Sequence, residues 1–335
     1  MTNSNTNISG ALVPHPTAIL ASGFAAVITD QGLIAVSGAE AATFLHNQLT
    51  NDVEHLGEQD VRLAGYCSPK GRLLASFLMW RSSETVYLQL ASDIQAAVQK
   101  RLSMFVLRAK AKLSDASPEH TVVGFGGAAA QGALAEVFGT LPAAPWTRID
   151  HPSGALLRVA DAFGAPRYLW IAAAASADTV LARFDDKLAR LGSDAWRLAD
   201  IHAGVPQISA KTQEQFVPQM VNLELLGGVN FKKGCYPGQE IVARSQYLGK
   251  LKRRTALATL DDAGALPGVE VFDVADPDQP CGMIVNAAPN GAGGVDVLVE
   301  LKLAALAGSD IRLGSATGPA LRLLPMPYAL DALDV

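Results

Sequence analysis

FKKGCYPGQEIVARSQYLGKLKRR runs from Phe231 to Arg254 and gathers one thiol, one proline, three glycines and seven basic residues around a single acid, Glu240. Gly234, Pro237 and Gly238 impose a turn, because glycine reaches backbone conformations closed to other residues and proline fixes φ. Beyond the turn, Ile241, Val242 and Ser245 recur at helical spacing. Cys235 is therefore expected just ahead of a helix start, where backbone N–H groups and the adjacent Lys232 and Lys233 favour a thiolate. A small cysteine packing a tight turn fits the same residues, since no His or Asp partner stands near it in the sequence. The basic residues Arg244, Lys250, Lys252, Arg253 and Arg254 form a candidate anion patch for phosphates, RNA or a polycarboxylate tail. A solvated linker is the competing account.

With 335 residues, 49% of them apolar, the chain is long enough for two or three globular domains. Its 27 basic and 32 acidic residues leave a net charge of -5, so no overall cationic field recruits nucleic acid or a membrane. Direct nucleic-acid binding is not expected. Cys67, Cys235 and Cys281 are odd in number and far apart, which argues against a disulfide framework and a zinc site; no intrinsic metal is expected. The polar, proline-broken start MTNSNTNISGALVPHP has no signal-peptide pattern, and Tyr168 to Ala177, the most apolar stretch, is too short to span a bilayer. The expected location is cytoplasmic.

Gly32 to Gly38 is an apolar run closed by glycine, and Ala42, Leu45 and Leu49 follow at helical spacing. A similar order returns at Thr121 to Phe138, which hints at internal duplication of one α+β unit. Arg62 to Trp80 reads as a hairpin about Ser68-Pro69-Lys70-Gly71, Glu84 to Leu90 as a further strand, and Ser92 to Phe105 as a helix. From about Lys250 onward, short β-like runs alternate with glycine and proline, the pattern of a small barrel or sandwich. Trp196 and Arg197 open a further helical pattern; an indole there stacks on a heteroaromatic ring or packs a core. His202 reads as structural, because no carboxylate is spaced near it.

Asn230 to Arg254 closely resembles the K-G-C-Y-x-G-Q-E motif of the YgfZ-type folate-binding family, relatives of the glycine-cleavage T-protein that support iron–sulfur proteins and tRNA modification. The resemblance extends to SGAEAATFLHNQLTNDV (Ser37 to Val53), PKGRLLASF (Pro69 to Phe77), WRLADIHAGVPQI (Trp196 to Ile208) and FVPQMVNLELLGGVNF (Phe216 to Phe231). It implies an α+β fold: a T-protein-like three-domain ring of two ferredoxin-like or pseudobarrel modules and a C-terminal β-barrel around a folate channel. Laid onto this chain, residues 16–55 and 115–192 form the first module, 56–114 and 193–248 the second with the KGCYPGQE loop, and 249–335 the barrel. The resemblance makes tetrahydrofolate or a one-carbon derivative the cofactor, with Trp196, Gln31 and Arg197 beside it. Lys233, Gly234, Tyr236, Gly238, Gln239, Glu240 and Arg244 belong with Cys235 to the motif loop. The partners it implies are reduced folate, iron–sulfur clients or assembly proteins, and a tRNA-modifying enzyme.

Two departures bear on the chemistry. Where the T-protein branch carries carboxylates, this chain has Ala75 and Ser76, and Asp161 to Trp170 replaces an acidic turn. Some relatives carry an aromatic residue where this chain has Gln31. Acid–base work needs a titratable group in reach, so ordinary aminomethyl transfer is not expected. Three readings remain: a folate-binding factor that assembles or repairs iron–sulfur enzymes; a one-carbon transferase using another acid such as Glu240; and an RNA-binding module working through the basic residues.

Overall fold

The computed structural model describes residues 17–247, 251–306 and 308–330. Period-two alternation builds its sheets: in Ala165–Ala173, Tyr168, Trp170 and Ala172 enter one core cluster, and Leu169 and Ile171 enter another. Arg167 shares the face of Leu169, because successive side chains leave a strand on opposite sides.

The first sheet runs Ala189–Leu191, Phe24–Ile28, His120–Gly126, Ala165–Ala173, Gly154–Ala162, Thr147–His151. The second runs Val61–Cys67, Leu73–Ser82, Thr85–Ala91, Gln31–Ser37, Lys112–Asp115. Both contain a three-strand meander whose last strand pairs with the strand that opened the unit, so the weak sequence repeat corresponds to a repeated topology. The copies differ at one edge, where Phe24–Ile28 lies between His120–Gly126 and Ala189–Leu191. The third sheet, from Arg253–Leu260 to Arg322–Leu324, has six strands and curls into a half barrel whose strands fall on the apolar runs of the sequence.

The chain changes sheets earlier than the family layout places it. Gln31–Ser37 pairs with Thr85–Ala91, and Ile34 and Val36 join the core of the second sheet with Leu45 of Ala41–His46. Residues 31–55 therefore sit with 61–115, and only Phe24–Ile28 crosses to the first sheet. Alternation specifies a strand and its buried face, not its partner, which is why the sequence did not disclose this.

Helices cover the outer faces of the first two sheets, and their inner faces meet across a shared core containing Leu33, Leu63, Trp80, Val159 and Leu169. Ser193–His202 lies in that core through Trp196, Leu198 and Ile201, while Leu257, Val285 and Leu298 of the half barrel close its third side.

Candidate functional site

At the centre of the shared core is a cavity of about 60 Å³, whose lining includes Gln31, Ser76, Gln89, Arg167, Trp196 and Asp200. Trp196 is 2% exposed, and its six-membered ring lies so close to Gly124 that a Cβ there would approach Cε3 to 2.1 Å. The Arg167 guanidinium is layered 4.5 Å from the indole centroid. Arg167 Nη1 donates to Asp200 Oδ1 at 2.8 Å, and Nε donates to the Ala160 carbonyl at 2.8 Å. Trp196 and Asp200 reach one place because they are a turn apart on the same helix. Burial raises the Asp200 carboxyl above the usual carboxylate range, against the pull of Arg167 and the Trp196 indole N–H.

Two buried polar atoms of the lining have no hydrogen-bond partner: Arg167 Nη2 and Gln89 Oε1. Such groups are costly to bury unpaired, so they mark a place for a complementary ligand. Gln89 Nε2 donates to Gln31 Oε1, and that pair carries no other side-chain hydrogen bond among the described residues. Sequence reasoning missed Arg167 and Asp200: both lie in stretches quoted above, Arg167 between Asp161 and Trp170 and Asp200 in WRLADIHAGVPQI, but they meet only through packing.

Ala75 is fully buried toward the outer helices, while the Ser76 hydroxyl accepts from Ile208 N at 2.9 Å. No carboxylate stands at those two positions. Arg197 leaves the helix in another direction, bonded to Asp194 at 2.8 Å and to Asp30. It lines a separate cleft of about 460 Å³ with Lys211, and Gln207 borders both that cleft and the central cavity. Across Leu63 and Trp146 lies a third opening of about 500 Å³, lined by Asp52 and Arg62.

The thiol loop is anchored beside this third opening. Lys233 Nζ donates to the carbonyls of His46 at 2.5 Å, Leu49 at 3.1 Å and Gly234 at 3.1 Å, and lies 4.8 Å from the Tyr236 ring centroid. Desolvation pushes the Lys233 ammonium down to about 8, although Asp52, Cys235 and Glu54 pull the other way. Burial raises the Tyr236 hydroxyl. The helix Gln239–Tyr247 begins four residues beyond Cys235, so the thiol stands in the loop rather than at the helix start, and Lys233 is spent on carbonyls. Gly238, at φ 79°, turns the chain into that helix where a Cβ would come within 2.4 Å of Ser68 O. Cys235 is exposed; Cys67 and Cys281 are buried. Glu240 and Arg244 are solvent-facing on the helix, and Gln239 is half-buried at its start.

No protein-family model matches the chain. It is 32% identical over 312 residues to tRNA-modifying protein YgfZ of Serratia proteamaculans, covering 90% of this chain and 92% of that one. It is also 32% identical over 303 residues to tRNA-modifying protein YgfZ of Edwardsiella ictaluri, covering 89% and 90%. The chain belongs to the YgfZ family. The solved glycine cleavage system aminomethyltransferase T of Bartonella henselae shares the fold, with a TM-score of 0.75 at 16% identity over 93% of this chain and 88% of that one.

In this YgfZ-family chain two of the basic residues after the loop are paired internally. Arg253 is bound to Glu300 at 2.8 Å, and buried Arg254 is bound to Glu224 and to the Gln219 carbonyl at 2.9 Å. Those two are corrected from anion patch to internal ion pairs, since a charge count does not see partners drawn from distant strands. Lys252 is exposed, and Lys250 lies outside the described residues. His202 has a carboxylate after all: its Nε2 is 2.6 Å from Asp296 Oδ2 of the half barrel. Among the described residues no cluster of three His, Cys, Asp or Glu side chains could hold a metal, and no helix is long and apolar enough to cross a membrane.

Proposed function

We propose that this chain binds a reduced folate in the central cavity and, through Cys235, supports the assembly or repair of iron–sulfur enzymes, including tRNA-modifying ones. The observation that carries the reading is the buried Arg167 guanidinium, held by Asp200 and Trp196 with its Nη2 amino group left unpaired beside the cavity. A pterin amide offers an acceptor for Arg167 Nη2 and donors for Gln89 Oε1, so the orphaned atoms match its hydrogen-bonding edge. Family membership and the T-protein-like fold support the same ligand class. The folate would supply a carrier for one-carbon units; the chain's residues hold it and keep bulk water away.

The cavity of about 60 Å³ is smaller than the roughly 150 Å³ that accommodates benzene, so the lining must move to admit two rings. The Gln31–Gln89 pair is the part that opens, having no backbone tether. Trp196 then serves mainly by backing Arg167, and the glutamate tail extends past Gln207 toward Lys211. This replaces direct pterin stacking on Trp196 as the role of that residue.

Tetrahydrofolate titrated into the protein is expected to quench tryptophan fluorescence with micromolar affinity, and Arg167→Met to weaken binding by tenfold or more while Lys252→Met leaves it unchanged. Equal affinity in a folded Arg167→Met variant would sink the placement. A second reading, one-carbon transfer, is favoured by one observation: Asp200 is a cavity carboxylate with a raised pKa, whereas Glu240 faces solvent. Multiple turnovers with a methylamine donor and tetrahydrofolate, abolished in Asp200→Asn, would establish it.

A further inference from the structure

Two of the three carbonyls that hold Lys233, those of His46 and Leu49, belong to the segment that carries His46, and this brings an imidazole to the thiol loop across a separation of 187 positions for the Lys233–His46 bond. His46 Nδ1 lies 3.1 Å from Asp52 Oδ1, and the other Asp52 oxygen lies 2.8 Å from His55 Nδ1. An ionised carboxylate only accepts, so the proton of the His46 ring resides on Nδ1 and the lone pair on Nε2. Burial works to raise the Asp52 carboxyl, but its bonds to the His55 backbone and ring, and the charge of His46, leave it below the ordinary range. Asp52 therefore stays available as an orienting anion.

The free nitrogen of His46 faces the loop. Nε2 is the nearest atom to the place where a Cβ on Gly234 would stand, at 3.5 Å, and Gly234 immediately precedes the exposed Cys235. No Cys235–His46 hydrogen bond is formed among the described contacts, but glycine at 234 leaves the space between ring and backbone open. Nucleophile–base contacts are often loose until a partner binds. We infer that His46, oriented by Asp52, is the base that takes the proton of Cys235.

In that step the Sγ–H bond breaks, its electron pair stays on sulfur, and the proton moves to His46 Nε2; Nδ1–H remains donated to Asp52. The product is a thiolate–imidazolium pair, with no oxidant or reductant required. Asp52 is a positioning residue, acting through the ring as the third member of a triad does. The charged groups around the loop include Lys232, Lys233, Asp52, Glu54 and His55, and none is placed as the ring of His46 is, with a free lone pair against the loop backbone. The inference rests on Cys235 being the functional thiol, and not on folate occupying the cavity.

The test is alkylation of Cys235 by iodoacetamide across pH, followed by intact mass in the absence of folate. Cys67 and Cys281 are buried, at 1% and 3% exposure, so the rapid phase reports Cys235, with Cys235→Ser as its control. His46→Gln is expected to move the midpoint upward toward about 8.5, the value of a free thiol, and to slow alkylation at neutral pH several-fold. Asp52→Asn should move it part of the way. Coincident profiles for parent and folded His46→Gln would overturn the inference. If His46→Gln does not fold, NMR titration of the His46 ring decides: its midpoint should fall when Cys235 is replaced by Ser, and an unchanged midpoint overturns the pairing. Folate binding is read separately by fluorescence, so failure of either reading is distinguishable from failure of the other.

Discussion

Lys233 shows how one residue of a motif acquires its chemistry from surroundings the motif does not contain. Its ammonium satisfies three carbonyls and touches the Tyr236 ring, so it closes the loop onto the segment between His46 and Asn51. Loss of water is the dominant effect on it, which is why its proton leaves at about 8 despite nearby acids. The sign follows: a depressed lysine makes charging costly in the folded state, so this destabilisation is complete below about 8 and is relieved as pH rises from about 8 to the unfolded value of about 10.4. Pulsed acylation with acetic anhydride, read by peptide mass, should therefore label Lys233 with a midpoint near 8. Labelling that begins only near 10.4, as for a lysine in an unstructured peptide, would show that the loop leaves the amine hydrated.

At the scale of elements, the strand His120–Gly126 packs against the cavity residue Trp196 of the helix Ser193–His202, and two glycines separate packing from propensity. Gly124 carries no Cβ because Trp196 fills the space, with Cε3 at 2.1 Å from the ideal Cβ position. Gly124→Ala should overpack this contact and cost about 1–3 kcal/mol in urea unfolding, with a changed tryptophan emission. Gly132 sits inside Ala130–Phe138 with nothing within 4 Å of its Cβ position, so Gly132→Ala should instead stabilise by about 0.5–1 kcal/mol. Similar effects from the two substitutions would contradict this packing. The same stretch marks how far the sequence could be read. Its apolar run and alanine-rich helix were legible from periodicity, and so were the hairpin about Pro69 and the strands of the half barrel. What was not legible is that Gly124 and Gly126 lie inside the strand, the turn falling at Gly127 with φ 88°. Arg167 was equally hidden, because a lone arginine in an apolar strand shows its purpose only beside Asp200 and Trp196. His46 and Asp52 were in view within FLHNQLTND, yet their relation to Cys235 depends on a contact that sequence distance conceals.

Across the whole molecule, the three sheets share one apolar core, and polar pins cross between them at a few places. Arg167 joins the first sheet to the helix Ser193–His202, Asn286 exchanges bonds with the Gln207 backbone, and His202 joins that helix to the half barrel through Asp296. Composition foresaw the size and acidity of the protein but not these pins, since each partner comes from another part of the chain. Asp296 is 4% exposed, and burial alone would raise its carboxyl; bonds from His202, Thr259 and Asn290 prevail and hold it below the ordinary value. A depressed carboxyl contributes stability that is present above its unfolded pKa of about 3.9 and is lost as pH falls through the folded value. Asp296→Asn, which keeps the shape but not the charge, should cost about 1.5–3 kcal/mol near neutrality, the range for a hydrogen bond to a charged group. In urea unfolding measured from pH 7 downward, the gap between parent and variant should persist to about pH 4 and close below it, because the parent's carboxyl then becomes neutral as well. A gap that stayed constant into acid would mean that the contact holds the barrel by shape alone, and no gap at pH 7 would mean that the apolar core docks it without this pin.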